Sequence, residues 1–316
     1  MLRYTLNRLL LMIPVLLGIC LIVLLLIDIT PGDPAELMLS NEATQEEIDA
    51  LRDALGLNDP LPIRYLKYLG SILRGDLGRS FFNNRSIWTE ITQRFPYTLV
   101  LVFLNMGIAL LIGIPLGVYA ATHQYTWKDN AAITASLICV SMPSFWFALM
   151  LVQAFCVQIR LLPPAGVQTW QGWVLPTLSL ALGHAAVIAR QTRSNMLEVL
   201  RQDYITTARA KGQSERKVIY RHSLKNALIP IIMVIGGMFG MSLGGALVTE
   251  VIFSIPGLGQ FTLSGLSSRD YPVIQGNVLF LSILFCIVML IVDLVFALVD
   301  PRIRSQYARR KKKVIQ

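Results

Sequence analysis

Long apolar windows without a charged residue dominate this chain and limit what it can fold into. The first window, residues 9–27, lies between Arg8 and Asp28 and is long enough for one membrane crossing at about 20 residues per span. Only 15% of the residues are charged and the mean hydropathy is +0.57, so a water-soluble globular domain is excluded. The remaining charge-free windows cover residues 95–122, 130–159, 161–189, 226–249 and 271–292.

Six transmembrane helices are predicted from these windows, because backbone exposed to lipid must satisfy its own hydrogen bonds. The window at 161–189 opens with prolines and tryptophans typical of an interfacial loop, so its crossing starts near Val174. The first window lacks a small-x-small cleavage site and is interpreted as an uncleaved anchor. The predicted fold class is an all-α polytopic membrane protein, a single membrane domain over residues 1–316, with helices at 9–29, 97–121, 131–158, 174–190, 227–250 and 276–299.

The basic residues determine the predicted orientation. Alternate segments between the spans sum to 19 Lys and Arg on one side and 9 on the other. By the positive-inside rule the side with 19 is cytoplasmic, and both termini lie there. The formal charge of +9 is therefore a cytoplasmic-face asymmetry, with a loop at 191–225 and a basic tail at 300–316, and it needs no nucleic acid.

The cysteines sit inside apolar windows and show no metal-ligand spacing. Neither a disulfide framework nor a metal site is predicted, and each cysteine is interpreted as a small packed hydrophobe. The four are Cys20, Cys139, Cys156 and Cys286.

The exterior segment 32–94 carries patterns of short amphipathic helices. Thr44 and Glu47 form a capping box that predicts a helix start, with Gly56 as its stop. A second helix is predicted from Pro62 to Gly75. These helices could lie on the membrane surface, meet a soluble partner or simply cover the outer mouth.

The cytoplasmic loop 191–225 has an internal order of its own. A helix through Tyr204 and Lys211 is predicted to break at Gly212, and a new helix restarts with Ser214 as N-cap. A helix, a glycine hinge and a helix between two spans present a short knob to the cytoplasm, which could seat in a groove of another protein.

This knob resembles the EAA loop of binding-protein-dependent ABC importer permeases of the dipeptide/oligopeptide/nickel branch. The resemblance is carried by the run 203–212 (DYITTARAKG) with 222–230 (HSLKNALIP), and other stretches agree in order along nearly the whole chain. The long segment after the first helix is similar to that of the B-type subunit. Thr206-Thr207-Ala208 stands where the general motif has Glu-Ala-Ala, so only the third position is literal. The other stretches are 31–34 (PGDP), 55–57 (LGL), 75–78 (GDLG), 141–146 (SMPSFW), 250–259 (EVIFSIPGLG), 269–276 (RDYPVIQG) and 300–304 (DPRIR).

The resemblance implies a type I ABC importer permease fold, a bacterial inner-membrane location and no catalytic role. The implied partners are a second homologous permease subunit, two ATP-binding subunits, an extracytoplasmic substrate-binding protein and the lipid bilayer. No cofactor is expected on this chain, and ATP and Mg²⁺ are used by the partner ATPases. The chain itself lacks a Gly-x-x-x-x-Gly-Lys-[Ser/Thr] phosphate loop. The residues expected to form the ATPase-coupling site are Asp203, Tyr204, Thr206, Thr207, Ala208, Arg209, Ala210, Lys211 and Gly212.

Two further groups are candidates for helix packing or the pathway. Gly236, Gly240 and Gly244 recur every four residues and predict close helix approach, either to another subunit or within the chain. Pro115 and Pro143 predict kinks or breaks in their spans. The polar candidates within spans, each equally consistent with a satisfied interhelical hydrogen bond, are Asn105, Gln153 and His184.

Alternatives remain open for the transported substrate and for the class of protein. Peptides are the first expected cargo, and glutathione or a nickel chelate is the alternative within the same class. Two distant alternatives are a secondary transporter, disfavoured because ionisable residues lie toward the span ends, and an intramembrane hydrolase using Ser242 and His184. The Gly-x-Ser-x-Gly pattern around Ser242 lies inside a helical span rather than at a strand-to-helix turn, which disfavours the hydrolase.

Overall fold

The computed structural model describes residues 2–29, 32–39 and 43–299. Among these residues, five helices are long and apolar enough to cross a membrane, and one bent pair of helices brings the number of spans to as many as six. The predicted basic tail at 300–316 lies outside the described residues. The five long helices are α1 (Leu2–Ile29), α5 (Ile87–Thr122), α8 (Val174–Leu200), α11 (Lys225–Gly245) and α14 (Tyr271–Val299).

The span predicted at 131–158 is not one helix. Helix α6 (Trp127–Ser141) and helix α7 (Ser144–Val152) meet at a 95° bend, and a π-helical turn continues over Gln153–Gln158. Pro143 stands at the break because it has no backbone N–H to donate and disfavours the helical region for the residue before it. Met142 is accordingly extended, with ψ 123°. By contrast, α5 runs without a break through Pro115.

The span predicted at 227–250 ends early. Helix α11 ends at Gly245, and a separate short helix α12 (Leu247–Ile252) follows. The sequence prediction also lacked α13 (Leu258–Ser268), whose last residue is followed by Arg269 in the left-handed conformation. The last span begins at Tyr271 rather than at residue 276. Apolar windows mark the stretch that fits in lipid, whereas caps and tertiary contacts decide where a helix starts and ends.

Two other predicted boundaries differ in the same way. Helix α8 continues to Leu200, so the first part of the predicted loop at 191–225 is helical, and α5 starts at Ile87 rather than at residue 97.

In the segment 32–94 the structure has α2 (Pro34–Met38), α3 (Gln45–Ala54) and α4 (Leu61–Leu73). The capping box that starts α3 is present, with Thr44 and Glu47 bonded reciprocally. The hydrogen bonds from Thr44 lower the pKa of Glu47.

The described chain divides into two compact units. One comprises residues 100–243 and 287–299, and the other comprises residues 2–99 and 244–286. In the first unit α8 is the central helix and packs against α6 and α7. It also approaches α5 closely, because Gly113 and Gly117 have no side chain: a Cβ there would lie 2.6 Å from the Ala185 carbonyl oxygen and 2.5 Å from that of Ala189.

The second unit has a core of its own. Its buried cluster joins α5, α13 and α14 through Ile87, Ile91, Leu258, Phe261 and Val273. Glu250 is fully buried beside this cluster and accepts a 2.7 Å hydrogen bond from the Thr98 hydroxyl and a 3.0 Å bond from the backbone N–H of Gln260. These bonds attach α12 to α5 and to the start of α13.

Candidate coupling site and pathway residues

The predicted knob is a short helix held between two turns. Helix α9 (Asp203–Ala210) begins after the turn that ends α8, and Gly212, with φ +71°, ends it. Ser214 then occupies the N-cap position of α10 (Glu215–Lys217), and a π-helical turn over Val218–Leu224 leads into α11. Glycine adopts positive φ without the strain that a Cβ brings, so Gly212 can reverse the chain at this point.

The face of α9 that packs against the rest of the chain is apolar and buried. Ile205 and Val218 are fully buried, Ala208 is 8% exposed, and Val199 and Leu200 at the end of α8 pack against them. Burying a side chain of the size of Ile205 contributes about 1.5–3 kcal/mol. The small cluster thus fixes α9 to α8 and to the chain that leads into α11.

The outer face of α9 is open to solvent. Of the residues predicted for coupling, only Ala208 is buried; Asp203, Tyr204, Thr206, Thr207, Arg209, Ala210, Lys211 and Gly212 are exposed. A fixed helix with one buried and one exposed face is a shape that can dock in a groove and move as a rigid body.

Three polar contacts link residues of the knob at its surface. Arg209 pairs with Glu215 at 2.8 Å, but both side chains are largely exposed, so the pair is worth little and leaves Arg209 available to a partner. The Asn226 amide donates to the Tyr204 hydroxyl at 3.0 Å. His222 and Gln213 are 2.7 Å apart. The Tyr204–Asn226 contact joins α9 to the start of α11, which the sequence pattern did not predict.

Of the polar residues predicted to lie within the spans, the structure brings two into contact, Asn105 and His184. Asn105 is fully buried; its amide donates to the Leu101 carbonyl, and its oxygen lies 2.9 Å from Nδ1 of His184. This is the satisfied interhelical hydrogen bond that the sequence left open as the alternative. Gln153 and Pro143 are exposed on the broken span, whereas Asn105 is buried on α5.

The glycine row on α11 is divided. Gly236 faces α14 of the same chain, where an added Cβ would lie 2.1 Å from a methyl of Val292. Gly240 is buried, whereas Gly244 is exposed with open space around it. Ser242 donates to the Met238 carbonyl within its own helix. Gly236 therefore packs against another helix of the same chain, whereas Gly244 has no neighbouring side chain within the described residues.

An ion pair between two helices was missed by the sequence prediction. Arg193 on α8 forms two hydrogen bonds, of 2.6 and 2.7 Å, with the Asp129 carboxylate at the start of α6. The side chains are 22% and 2% exposed, respectively. The available signal was an acidic residue at the edge of an apolar window with an arginine at the end of another, but pairing them required the helix packing.

Comparison with known proteins identifies the family. Residues 113–305 match the family described as "Binding-protein-dependent transport system inner membrane component", and residues 1–102 match the N-terminal family of the same transport systems. The chain belongs to this family of ABC importer permeases. It is therefore a non-catalytic translocation subunit and a multi-pass protein of the bacterial inner membrane, of the class that works with another permease, ATPase subunits and a binding protein.

Relatives and solved structures agree with this family. The chain is 41% identical over 304 residues to the glutathione transport system permease protein GsiC of Salmonella paratyphi A, covering 96% of this chain and 99% of the relative. It is 40% identical to GsiC of Escherichia coli K12 over the same length. A chain of the MetNI methionine ABC transporter, solved in inward-facing conformations, has the same fold with a TM-score of 0.59 at 18% identity, over 67% of this chain and 96% of that chain. The predicted type I ABC importer permease fold is confirmed.

Proposed function

We propose that this permease forms half of the translocation pathway of an ATP-driven importer for short peptides, with glutathione as the defining cargo. The observation that carries the cargo class is the similarity to GsiC, 41% identity along nearly the full length of both chains. Glutathione is itself a tripeptide, so this cargo lies inside the peptide class expected from the sequence. Nickel chelates remain the alternative that the experiment below distinguishes.

The coupling role is assigned to α9. Its buried residues Ile205 and Ala208 attach it to α8, while Thr207, Arg209 and Lys211 face solvent. A displacement imposed on the exposed face is passed to α8 and α11, because the buried cluster leaves α9 no independent freedom. ATP and Mg²⁺ would be bound by two partner subunits that seat on this helix and on its counterpart in a second, homologous permease.

The arrangement in the membrane follows from the charges. The proposed cytoplasmic side holds α9 and both termini, and the opposite side holds the segment 32–94 and receives cargo from the binding protein. The segment 32–94 carries 10 acidic and 7 basic residues, whereas residues 190–225 carry 3 acidic and 9 basic residues. This asymmetry follows the positive-inside rule for residues near the ends of the spans.

Uptake by the reconstituted importer tests the proposal. The permease would be co-purified with its partner permease, ATPase and binding-protein subunits and placed in proteoliposomes with ATP inside. We expect uptake of radiolabelled glutathione, competed by short peptides and not by a nickel chelate. Uptake of the nickel chelate without glutathione uptake would show that the cargo assignment is wrong. Glutathione uptake that persisted without the ATPase subunits would instead show that the coupling role is wrong.

A further inference from the structure

Helix α4 (Leu61–Leu73) exposes an apolar face that the family assignment does not explain. Ile63, Leu66 and Leu73 are 45%, 66% and 88% exposed. Their spacing of three and seven residues places them on one side of the helix. Two basic residues lie beside them: Arg74, which follows the last residue of the helix, and Lys67, whose amino group lies 2.5 Å from the Asp59 carboxylate.

The neighbouring helix α3 (Gln45–Ala54) has the opposite pattern. Its exposed positions include Glu46, Asp49, Ala50 and Asp53, whereas its apolar residue Ile48 is partly covered. Helix α3 thus has the surface of a helix in water. Two helices in the same unit, separated by a few residues, expose faces suited to different solvents.

Contacts with α1 give the depth of α4. Arg64 pairs with Asp28 at 2.5 Å, and the hydroxyl of the next residue, Tyr65, donates to the Leu17 carbonyl at 3.1 Å. Leu17 and Asp28 are 11 residues apart in the sequence, which is about 16 Å along a helix. Arginine and tyrosine side chains have similar lengths, so the backbone of α4 at this point lies near the middle of that interval, about 8 Å from the level of Asp28.

The level of Asp28 is the edge of the hydrocarbon. The charge-free window at 9–27 ends at Asp28, and its 19 residues span about 28 Å, close to the thickness of the hydrocarbon layer. Leu17 therefore lies near the middle of the bilayer. A helix about 8 Å inside the edge has the depth at which amphipathic interfacial helices bury their apolar face.

We propose that α4 lies embedded in the leaflet that surrounds the C-terminal half of α1, with Ile63, Leu66 and Leu73 in contact with lipid acyl chains. In the C-terminal half of α1, Ile22, Leu26 and Ile29 are exposed as well. Lys67 extends from the embedded face toward the headgroups, where Asp59 meets it. The hydrogen bond from Tyr65 satisfies a hydroxyl that has no water at that depth. The segment after α1 is therefore anchored in the membrane, and α3 rises from this anchor into water.

Spin-label accessibility in the intact importer tests this placement. Single cysteines would replace Leu66, Leu73 and, as a matched control, Ala50 on α3, in a chain whose four native cysteines are replaced by alanine and which retains uptake. In nanodiscs of phosphatidylethanolamine and phosphatidylglycerol, we expect a severalfold higher ratio of oxygen to nickel-chelate accessibility at positions 66 and 73 than at position 50.

Two outcomes would overturn the proposal. A water-like ratio at positions 66 and 73, equal to that at position 50, would place this face in solvent or against the binding protein. Exclusion of both reagents would place it against another protein subunit. A second measurement avoids the cysteine background: Leu66→Glu in the native chain should reduce the amount of folded importer in membranes severalfold, while Ala50→Glu should leave it unchanged. Equal yields of the two variants would also contradict the lipid contact.

Discussion

At the scale of single residues, Gly212 is the position where backbone geometry and proposed function coincide. Its φ is +71°, and no heavy atom lies within 4 Å of where a Cβ would stand. A side chain at this position would strain the backbone but would not collide with any neighbouring atom. Left-handed backbone costs an ordinary residue about 1–2 kcal/mol, and a β-branched side chain is the least tolerant.

We therefore expect Gly212→Val to uncouple ATP hydrolysis from transport. The strained turn would shift α9 on its buried cluster, so uptake should fall while ATPase activity and membrane insertion persist. Uptake and ATP hydrolysis would be measured together in proteoliposomes. Gly212→Asn is the control, because asparagine tolerates positive φ, and it should retain most of the coupling. Uptake at the level of the unsubstituted chain by Gly212→Val would contradict the role of the turn.

The Asp129–Arg193 ion pair is a second residue-scale feature with a measurable consequence. The Asp129 carboxylate is buried but Arg193 is 22% exposed, so removing Asp129 leaves a partly hydrated guanidinium without its hydrogen-bond partner, which costs about 1–3 kcal/mol. We expect Asp129→Ala to lower the Tm of the detergent-solubilised protein by about 2–10 °C. The exposed Arg209–Glu215 pair supplies the control, since Glu215→Ala should change the free energy of unfolding by less than about 1 kcal/mol.

A double substitution separates the ion pair from general packing. Asp129→Ala combined with Arg193→Ala should cost less than the sum of the single changes, because neither charge is then left alone. Strict additivity of the three Tm changes would mean that the two side chains do not stabilise each other.

At the scale of elements, the glycine row on α11 predicts opposite effects at adjacent positions. An alanine at 236 would push its Cβ into Val292 on α14, and overpacking of this kind costs about 1–3 kcal/mol. Gly237 has open space around its Cβ position, so alanine there gains helix propensity, worth about 0.5–1 kcal/mol. We expect Gly236→Ala to lower the Tm and Gly237→Ala to raise it slightly. Equal effects of the two variants would contradict the close approach of α11 and α14.

The helices also show that an apolar window does not by itself predict whether a span is one helix or two. The window method placed a single helix at 131–158, yet α6 and α7 meet at 95°. Pro143 was recognised as a point of weakness, but a proline alone allows a mild kink as well as a sharp break. The sequence analysis did not name Gly113 and Gly117 on α5, although they have the same small-xxx-small spacing as the row on α11 and lie against the backbone of α8.

At the scale of the whole molecule, the predicted orientation is testable with fusions. Alkaline phosphatase, which is active only outside the cytoplasm, should be active when fused after Ala50. Green fluorescent protein, which folds in the cytoplasm, should fluoresce when fused after Gln316. The physical reason is the excess of 19 over 9 basic residues on the side proposed to be cytoplasmic. The reverse pattern, an inactive phosphatase with a dark C-terminal fusion, would invert the assignment and place α9 on the wrong side for an ATPase.

The features that depend on local chemistry could be predicted from the amino-acid sequence. Apolar windows require lipid as solvent whatever the partners are, so the all-α membrane fold was predictable, and the run at 203–212 led to the family. The capping box at Thr44 and the helix break at Gly212 depend only on a few neighbouring residues, and both were predicted.

The contacts between residues far apart in the chain became known only from the three-dimensional structure. Asn105 and His184 are 79 residues apart, Asp129 and Arg193 are 64 apart, and Tyr65 contacts Leu17 from 48 residues away. Each of these partners had several alternatives of equal chemistry in the sequence. Helix packing chooses among them, since the close approach of two backbones is a property of both surfaces and of the angle between them. For the same reason the sequence gives α4 an amphipathic pattern, but only its contacts with α1 give it a depth.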